Sequence, residues 1–349
     1  MASEQPQEPV QPSLQTEENQ TLDIDEDVVH DDTDSAYASS IAGTDSHTLS
    51  SSILAYTYEN GRRYHAFRDG EYMLPNDEAE QDRLDLLHHI FRMIAGGTLY
   101  RAPIAQDKPP QRILDVGTGT GLWAIELADE FPNAQVIGTD LSPIQPSWVP
   151  PNCLFYVDDA ESQWTYEPHE AFDFIHGRSL CGCFADWPKF YRQAYRNLKP
   201  GGWMEMQEHA CWVQADDETQ EQAAWVTEWC SEMDFASRKF GKRLNVAHEH
   251  RAWMEQAGFA DVREEVHKVP IGTWTKGKKL KEMGYIHREE MLDAVEPFTM
   301  ALYTRVMSYS LDQTRIVIEG VKRDLKDPKL HLYVNYHFVW GRKPEHAPF

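Results

Sequence analysis

The chain has 349 residues, of which 41% are hydrophobic, and its 57 acidic and 33 basic side chains give a formal net charge of −24. A chain of this length can bury a large core, whereas its acidic balance repels phosphate backbones, so we expect no nucleic acid partner. The sequence contains no run of about 18 apolar residues, so we also expect no membrane-spanning helix.

The first segment, residues 1–52, is rich in Glu, Asp, Gln, Ser and Thr and has almost no aromatic residues. Because such a composition cannot bury enough apolar surface to offset the entropy of ordering, we predict a disordered acidic tail. The tail is either a solubilising segment or an arm that binds a regulatory partner.

The second segment, residues 53–108, mixes aromatic and charged residues and then takes on a helical pattern. Asp77 followed by Glu80 is typical of a capping box at the start of a helix. Apolar residues then recur at helical spacing from Leu84 to Ile94. We predict an N-terminal helical cap that closes over a binding site.

Residues 109–349 alternate between strand-like and helix-like patterns. The predicted strands are 112–117, 134–140, 152–160, 171–178, 203–211, 260–271 and 331–343. The predicted helices are 121–132, 187–202, 217–243, 248–259 and 278–326. This alternation indicates an α/β fold with a Rossmann-like, seven-stranded, mostly parallel sheet and helices on both faces. Helical insertions are expected at about 215–245 and, before the last strand, at 275–328.

A glycine-rich loop follows the first predicted strand of this unit. Its glycines, Gly117, Gly119 and Gly121, have the spacing G-x-G-x-G, and Leu122 stands where a dinucleotide-binding loop has its third glycine. Asp115 precedes the loop, and its carboxylate would repel a pyrophosphate but attract an ammonium or sulfonium group. The loop therefore favours a cationic ligand over a dinucleotide.

Carboxylates also follow the next two predicted strands. Asp140 is placed to bind a ribose diol, as acids do in nucleoside-binding α/β folds. Asp159, beside Asp158 and Ala160, is placed to accept hydrogen bonds from an adenine amino group. Together with the loop, these residues describe a site for S-adenosylmethionine; an NAD site or a fold without cofactor is the alternative.

Five segments in this order resemble the motifs of the class I S-adenosylmethionine-dependent methyltransferases. They are LDVGTGTG (114–121), GTDLS (138–142), DDA (158–160), FDFIHGR (172–178) and LKPGGWMEMQE (198–208). The resemblance covers about residues 110–270. It implies a Rossmann-like methyltransferase domain with S-adenosylmethionine as cofactor.

A narrower resemblance joins the chain to the LaeA-like fungal methyltransferases. It covers about residues 53–349 and is carried by the leader, by IHGRSL (175–180) and by the acidic tail. That group includes biosynthetic enzymes as well as regulators of secondary metabolism that associate with velvet-type proteins. The resemblance thus implies either a methyltransferase for a small, apolar or aromatic metabolite, acting on O, N or C, or a regulatory methyltransferase in a protein complex.

The expected cofactor-binding residues come from the leader and from the ends of the strands. They are Tyr64, Asp115, Gly117, Thr118, Gly119, Gly121, Asp140, Leu141, Asp158, Asp159, Ala160, His176 and Arg178. Tyr64 is expected to cap the pocket, while Arg63, Arg83 or Arg178 is expected to bind the carboxylate of the methionine part.

A general base is needed only if the nucleophile must lose a proton. His176, Glu208 and His209 occupy the ends of two strands, where ligands of such sheets bind, and are the catalytic candidates. Each is alternatively a structural side chain. Five aromatic residues of the insertions either pack in the core or line an apolar acceptor site: Trp212, Trp225, Trp229, Trp274 and Tyr285.

The five cysteines, an odd number, match no disulfide framework and no zinc-binding spacing along the sequence. We therefore expect reduced thiols, no bound metal and an intracellular, cytoplasmic protein, and the N-terminus lacks the pattern of a secretory signal. The basic segment 276–281 (KGKKLK) is either a nuclear signal, which would place the protein in the nucleus, or a solvated face.

Overall fold

A computed structural model describes residues 22–23, 56–104 and 108–347. The predicted disorder of residues 1–52 lies outside the described residues, except for residues 22 and 23.

The described leader opens with a two-stranded antiparallel hairpin that the sequence analysis missed. Its strands are β1 (Thr57–Glu59) and β2 (Arg62–Tyr64). Asn60 and Gly61 connect them with φ angles of 52° and 81°. An Asn-Gly pair at two positive φ angles is the preferred two-residue hairpin turn, so the sequence did carry the signal.

The predicted leader helix is confirmed as α1 (Glu78–Ile94). The Asp77 side chain accepts a hydrogen bond from the backbone N–H of Glu80 at 3.1 Å, which caps the helix start. Leu87, Ile90 and Phe91 on this helix are fully buried in the main core. The leader is thus part of the folded body.

The predicted seven-stranded, mostly parallel sheet is confirmed. Its strands are β3 (Arg112–Val116), β4 (Gln135–Asp140), β5 (Cys153–Val157), β6 (Phe172–Arg178), β7 (Leu198–Gln214), β8 (Ala260–Pro270) and β9 (Tyr333–Arg342). Their order across the sheet is β5-β4-β3-β6-β7-β9-β8. Strands β3 to β7 pair in parallel, while β9 is antiparallel to both β7 and β8. The carboxyl ends of the parallel strands therefore meet along one edge, where ligands of such sheets bind.

The helices follow the predicted order, but two predicted helices are each divided into two. The predicted helix 187–202 also ends early, at Asn197, because β7 begins at Leu198. The helices are α2 (Leu122–Glu130), α3 (Trp187–Asn197), α4 (Thr219–Gln222), α5 (Ala224–Phe240), α6 (His250–Ala257), α7 (Lys278–Ala301) and α8 (Leu311–Lys326). The predicted helix 217–243 is the pair α4 and α5, and the predicted helix 278–326 is divided into α7 and α8. Ser310 forms a capping box with Gln313 and so starts α8 as a new helix. In the described part of the chain, no helix has the length and apolar character needed to cross a membrane.

A buried ion triad joins α1 to α7. The Arg83 guanidinium donates to Glu80 at 2.5 Å and 3.1 Å and to Glu290 at 2.6 Å. All three side chains are at most 4% exposed. Burial of this kind costs desolvation energy that only the complete set of partners offsets.

Candidate active site

A cavity enclosing about 1170 Å³, partly open to solvent, lies at the carboxyl ends of the parallel strands. We call it the cofactor pocket. Eleven of the predicted cofactor-binding residues line it: Asp115, Gly117, Thr118, Gly119, Asp140, Leu141, Asp158, Asp159, Ala160, His176 and Arg178. The structure therefore brings these residues together around one cavity at the strand ends, while the role of each residue stays a prediction.

The glycine loop bends between β3 and α2 with positive φ angles of 64° at Gly117, 58° at Gly119 and 83° at Gly121. Gly121 does not line the pocket but begins α2 in the left-handed conformation. A Cβ atom at Gly121 would lie 2.6 Å from the ring of Phe155. This glycine is therefore required both by its backbone conformation and by the close approach of β5.

Replacing Gly121 with Ala is expected to lower the free energy of unfolding by about 1–3 kcal/mol, because it adds a steric clash to the cost of a left-handed backbone. Gly97 provides the matched control, since its φ is 96° and a Cβ there would meet nothing within 4 Å. Gly97→Ala should thus lower the free energy of unfolding only by the cost of placing Ala in a left-handed backbone conformation, about 1 kcal/mol. Denaturant unfolding of both variants tests this, and equal losses would contradict a role for the Phe155 contact.

Asp140, at the end of β4, is held by two backbone donors. The N–H of Gly119 donates to one carboxylate oxygen at 2.8 Å, and the N–H of Ser142 donates to the other at 2.9 Å. Burial, reinforced by the charge of Asp115, raises the pKa of Asp140 to about 6. The carboxylate therefore fixes the shape of the glycine loop and presents a negative charge to the pocket at neutral pH.

Asp115 and His176 form a buried pair on the floor of the pocket. Nδ1 of His176 donates to Asp115 at 2.7 Å, and the Thr118 hydroxyl donates to the other carboxylate oxygen at 2.6 Å. The His176 ring stacks on Trp123 with centroids 3.6 Å apart. Burial lowers the pKa of His176, so the imidazole is neutral at pH 7. His176 is thereby locked in place and orients the Asp115 carboxylate.

Arg178, at the end of β6, is the one Lys or Arg that the described structure places on the wall of the cofactor pocket. Its Nη2 donates to Nδ1 of His88 at 2.9 Å, and its guanidinium lies over the ring of Phe91. Burial lowers the pKa of Arg178 to about 10, so it stays charged at neutral pH. Six carboxylates lie on the same wall, but Glu80, Asp159 and Glu161 are already paired with Arg83, Arg68 and Lys242. This leaves Asp115, Asp140 and Asp158 as the wall carboxylates that no described Lys or Arg side chain pairs with. The pocket suits a ligand that carries positive charge.

The leader contributes a whole wall of the pocket, through residues that the sequence analysis did not select. Tyr72, Asn76, Leu84 and His88 all line the cavity. The Asn76 amide donates to the hydroxyl of Ser142 at 3.0 Å and so ties the leader to the loop after β4. The predicted closure of the leader over the site agrees with this wall and stays a prediction.

Three residues that we expected in the pocket lie elsewhere. Tyr64 is buried against the Arg305 guanidinium. Arg63 pairs with Glu78 at 2.7 Å, and Arg83 belongs to the triad of α1 and α7. Their charges and rings serve the packing of the leader, so Arg178 is the remaining candidate for the carboxylate of the methionine part.

Glu208 and His209 do not line the cofactor pocket. Glu208 is fully buried and accepts hydrogen bonds from the N–H groups of Leu180 and His209, and burial raises its pKa to about 8. His209 faces a different, apolar cavity. Burial, with the charge of Arg83 nearby, lowers the pKa of His209 to about 3, so its ring is neutral.

This apolar cavity has a volume of about 480 Å³, part of which is open to solvent, and we call it the second cavity. Its walls include Trp229, Met233, Met291 and Phe298. A smaller space of about 300 Å³ lies between the two, since it shares Tyr72 and Leu74 with the cofactor pocket and Leu244 and Phe298 with the second cavity. Among the predicted aromatic residues, Trp212 and Trp229 line the second cavity, whereas Trp225, Trp274 and Tyr285 do not.

Comparison with known proteins decides the family. A family model described as a methyltransferase domain matches residues 86–264. The chain is 37% identical over 324 residues to Methyltransferase pytC of Aspergillus terreus, covering 93% of this chain and 96% of that protein. It is 40% identical over 291 residues to Secondary metabolism regulator LAE1 of Cochliobolus heterostrophus, covering 82% of this chain and 94% of that protein.

The chain belongs to the methyltransferase family. S-Adenosylmethionine is the cofactor of this methyltransferase, and the LaeA-like resemblance is confirmed.

Among solved structures, phosphoethanolamine N-methyltransferase 2 of Haemonchus contortus in complex with S-adenosylmethionine matches with a TM-score of 0.40 and 22% identity, over 75% of this chain and 52% of that one. A putative sarcosine dimethylglycine methyltransferase of Galdieria sulphuraria matches with a TM-score of 0.39 and 13% identity, over 78% and 93%.

Proposed function

We propose that this methyltransferase transfers a methyl group to an O, N or C nucleophile of a small, apolar or aromatic metabolite in fungal secondary metabolism. The observation that supports this most directly is the apolar second cavity, which lies near the cofactor pocket because both share lining residues with the same smaller cavity. The names of the relatives, a methyltransferase and regulators of secondary metabolism, also support the proposal.

The residues of the cofactor pocket fit S-adenosylmethionine by charge and position. When bound, this cofactor supplies an electrophilic methyl group on a sulfonium sulfur. Asp140 is assigned to the ribose hydroxyls and Asp159 to the adenine amino group. Asp115 is assigned to the ammonium group of the methionine part and Arg178 to its carboxylate. The His176–Asp115 pair holds the negative charge at a fixed position, so the pocket needs little reorganisation on binding.

The second cavity supports an apolar acceptor. Indole, phenyl and thioether groups line it, and such surfaces bind aromatic or aliphatic ligands through burial of apolar area. An acceptor bound against these walls would displace water from around its nucleophile, which favours transfer to the acceptor over hydrolysis.

The chemistry depends mainly on alignment, because the leaving thioether is neutral and needs no proton. His209 faces the second cavity, yet its lowered pKa makes it a weak base at neutral pH. Glu208 accepts backbone hydrogen bonds in the core and contacts neither cavity. We therefore assign alignment and exclusion of water, rather than proton removal, to the residues of this site.

Incubation of the purified chain with methyl-labelled S-adenosylmethionine and a small-molecule extract tests the proposal. We expect a metabolite whose mass increases by one labelled methyl group, with no such product from an Asp140→Ala control. Labelling of protein alone would contradict the metabolite proposal.

Phe298→Ala is expected to lower kcat/KM for the acceptor by about tenfold or more, since it removes an aromatic ring from the cavity wall. The affinity for S-adenosylhomocysteine should change by less than about threefold, because Phe298 does not line the cofactor pocket. Phe235, on α5, is 58% exposed and provides the matched control. An equal effect of Phe298→Ala and Phe235→Ala on acceptor turnover would contradict an acceptor role for the second cavity.

The second candidate function is a LaeA-like regulatory methyltransferase that acts in a protein complex with a velvet-type partner. The 40% identity to a protein named as a secondary metabolism regulator favours it. Affinity capture of the full chain from fungal extract, with and without S-adenosylhomocysteine, separates the two functions. A protein that is captured in stoichiometric amount, and that then takes up a methyl group from labelled S-adenosylmethionine, would support regulation.

A further inference from the structure

Three side chains that bind soft metals meet between β6 and β7, outside the wall of the cofactor pocket. They are Cys181, His209 and Cys211, and their ligating atoms all lie within 4.8 Å of one another. Cys181 follows β6, while His209 and Cys211 lie two residues apart on β7, where its pairing with β9 is irregular between His209 and Val213. The spacing of the cysteines along the sequence did not indicate this group. The three residues come together because β6 and β7 are parallel neighbours in the sheet.

The distances fit a metal centre better than a disulfide. The sulfur atoms of Cys181 and Cys211 lie 3.5 Å apart, and Sγ of Cys211 lies 4.0 Å from Nε2 of His209. Zinc–sulfur bonds of about 2.3 Å and zinc–nitrogen bonds of about 2.0 Å in a tetrahedron imply a sulfur–sulfur edge of about 3.8 Å and a sulfur–nitrogen edge of about 3.5 Å. A disulfide bond, at about 2.05 Å, would require the two sulfur atoms to approach much further.

The surroundings also suit a metal ligand. Nδ1 of His209 is buried without a hydrogen-bond partner among the described residues and lies 3.4 Å from the carboxylate of Glu208. In zinc sites the nitrogen that does not bind the metal commonly donates to such a carboxylate, which orients the ring. Two thiolates and one imidazole form a donor set that selects zinc over the harder divalent cations.

We propose that Cys181, His209 and Cys211 bind one Zn²⁺ ion, with the fourth position open to the second cavity. Both thiols release their protons to solvent on binding, so the dication and two thiolates leave no net charge in the protein interior. Three protein ligands and one open position are typical of zinc sites that bind water or substrate. The fourth ligand is therefore water or an electron-rich group of a molecule in the second cavity.

Zinc binding to the reduced full chain, after removal of metal with a chelator, tests the site. Competition with a chromogenic chelator should give one Zn²⁺ per chain. Cys211→Ser and His209→Ala should each weaken binding by about 100-fold or more, as loss of a ligand costs at least as much as loss of an outer partner. Cys183→Ser is the matched control, because Cys183 is two residues from Cys181 but lines the cofactor pocket. The zinc affinity of this variant should stay within about threefold of that of the unmodified chain.

A measurement on the unmodified chain covers the case in which a variant fails to fold. Alkylation followed by peptide mass spectrometry should show Cys181 and Cys211 protected by added Zn²⁺ and Cys183 unprotected. Unchanged alkylation of Cys181 and Cys211, or equal zinc affinity in Cys211→Ser and Cys183→Ser, would overturn the site. A Cys181–Cys211 disulfide in chain purified without reductant, with no zinc bound after reduction, would overturn it as well.

Discussion

Replacing Arg83 with Ala is expected to lower the free energy of unfolding by about 3–5 kcal/mol, a large share of the stability of a typical domain. The substitution leaves Glu80 and Glu290 buried with no cation between them. Burial already raises the pKa of Glu290, and its ionised form depends on the guanidinium. Urea unfolding monitored by circular dichroism measures the loss.

Arg92 on the same helix is the matched control, because its pair with Glu126 is 40% and 34% exposed. Arg92→Ala should cost at most about 1 kcal/mol. Joint replacement of the triad by Glu80→Leu, Arg83→Met and Glu290→Leu should recover most of the stability, since no buried charge remains. A loss from Arg83→Ala as small as that from Arg92→Ala would show that the triad is not a structural unit.

Replacing Asp140 with Ala is expected to weaken S-adenosylhomocysteine binding by about 100-fold. The variant loses the charge-assisted bonds assigned to the ribose and frees the two N–H groups that the carboxylate holds. Calorimetry on the folded variant measures the change. Asp129→Ala, which removes an exposed carboxylate of α2, should leave the affinity unchanged; unchanged affinity in Asp140→Ala would refute the assignment.

The raised pKa of Asp140 adds a dependence on pH with a definite sign. Above about pH 6 the carboxyl is ionised and able to accept the ribose hydrogen bonds, and below that it takes up a proton. Affinity for S-adenosylhomocysteine should thus be nearly constant above pH 7, fall about fivefold between pH 6 and pH 5, and approach a tenfold loss per unit below that. Asp140→Asn cannot titrate, so its weaker binding should not show this step.

The strands and their terminal acids could be predicted from sequence because both signals are local. Runs of apolar residues between Pro and Gly stops define β3 to β6, and the acids that follow them must meet at one edge of a parallel sheet. Asp115, Asp140 and Asp159 were therefore placed in the pocket without a structure.

The rest of the site depends on contacts between distant segments. Tyr72 and Asn76 reach the pocket only because the leader packs over the strand ends, and no local pattern distinguishes them from Tyr64. His88 sits on α1 among apolar neighbours, and its contact with Arg178 bridges 90 positions of the chain. The hairpin at Asn60-Gly61 and the capping box of Ser310 with Gln313 carried local signals that the sequence analysis did not use.

The order of β7, β9 and β8 in the sheet has a consequence for biosynthesis. Strand β9 is synthesised after both of its neighbours, yet it lies between them. Until residues 333–342 leave the ribosome, β7 and β8 present unpaired backbone edges, and such edges promote aggregation. A polypeptide that terminates prematurely before residue 333 therefore lacks the strand that joins β8 to the sheet. Its unpaired strand edges make it a substrate for chaperones and proteases.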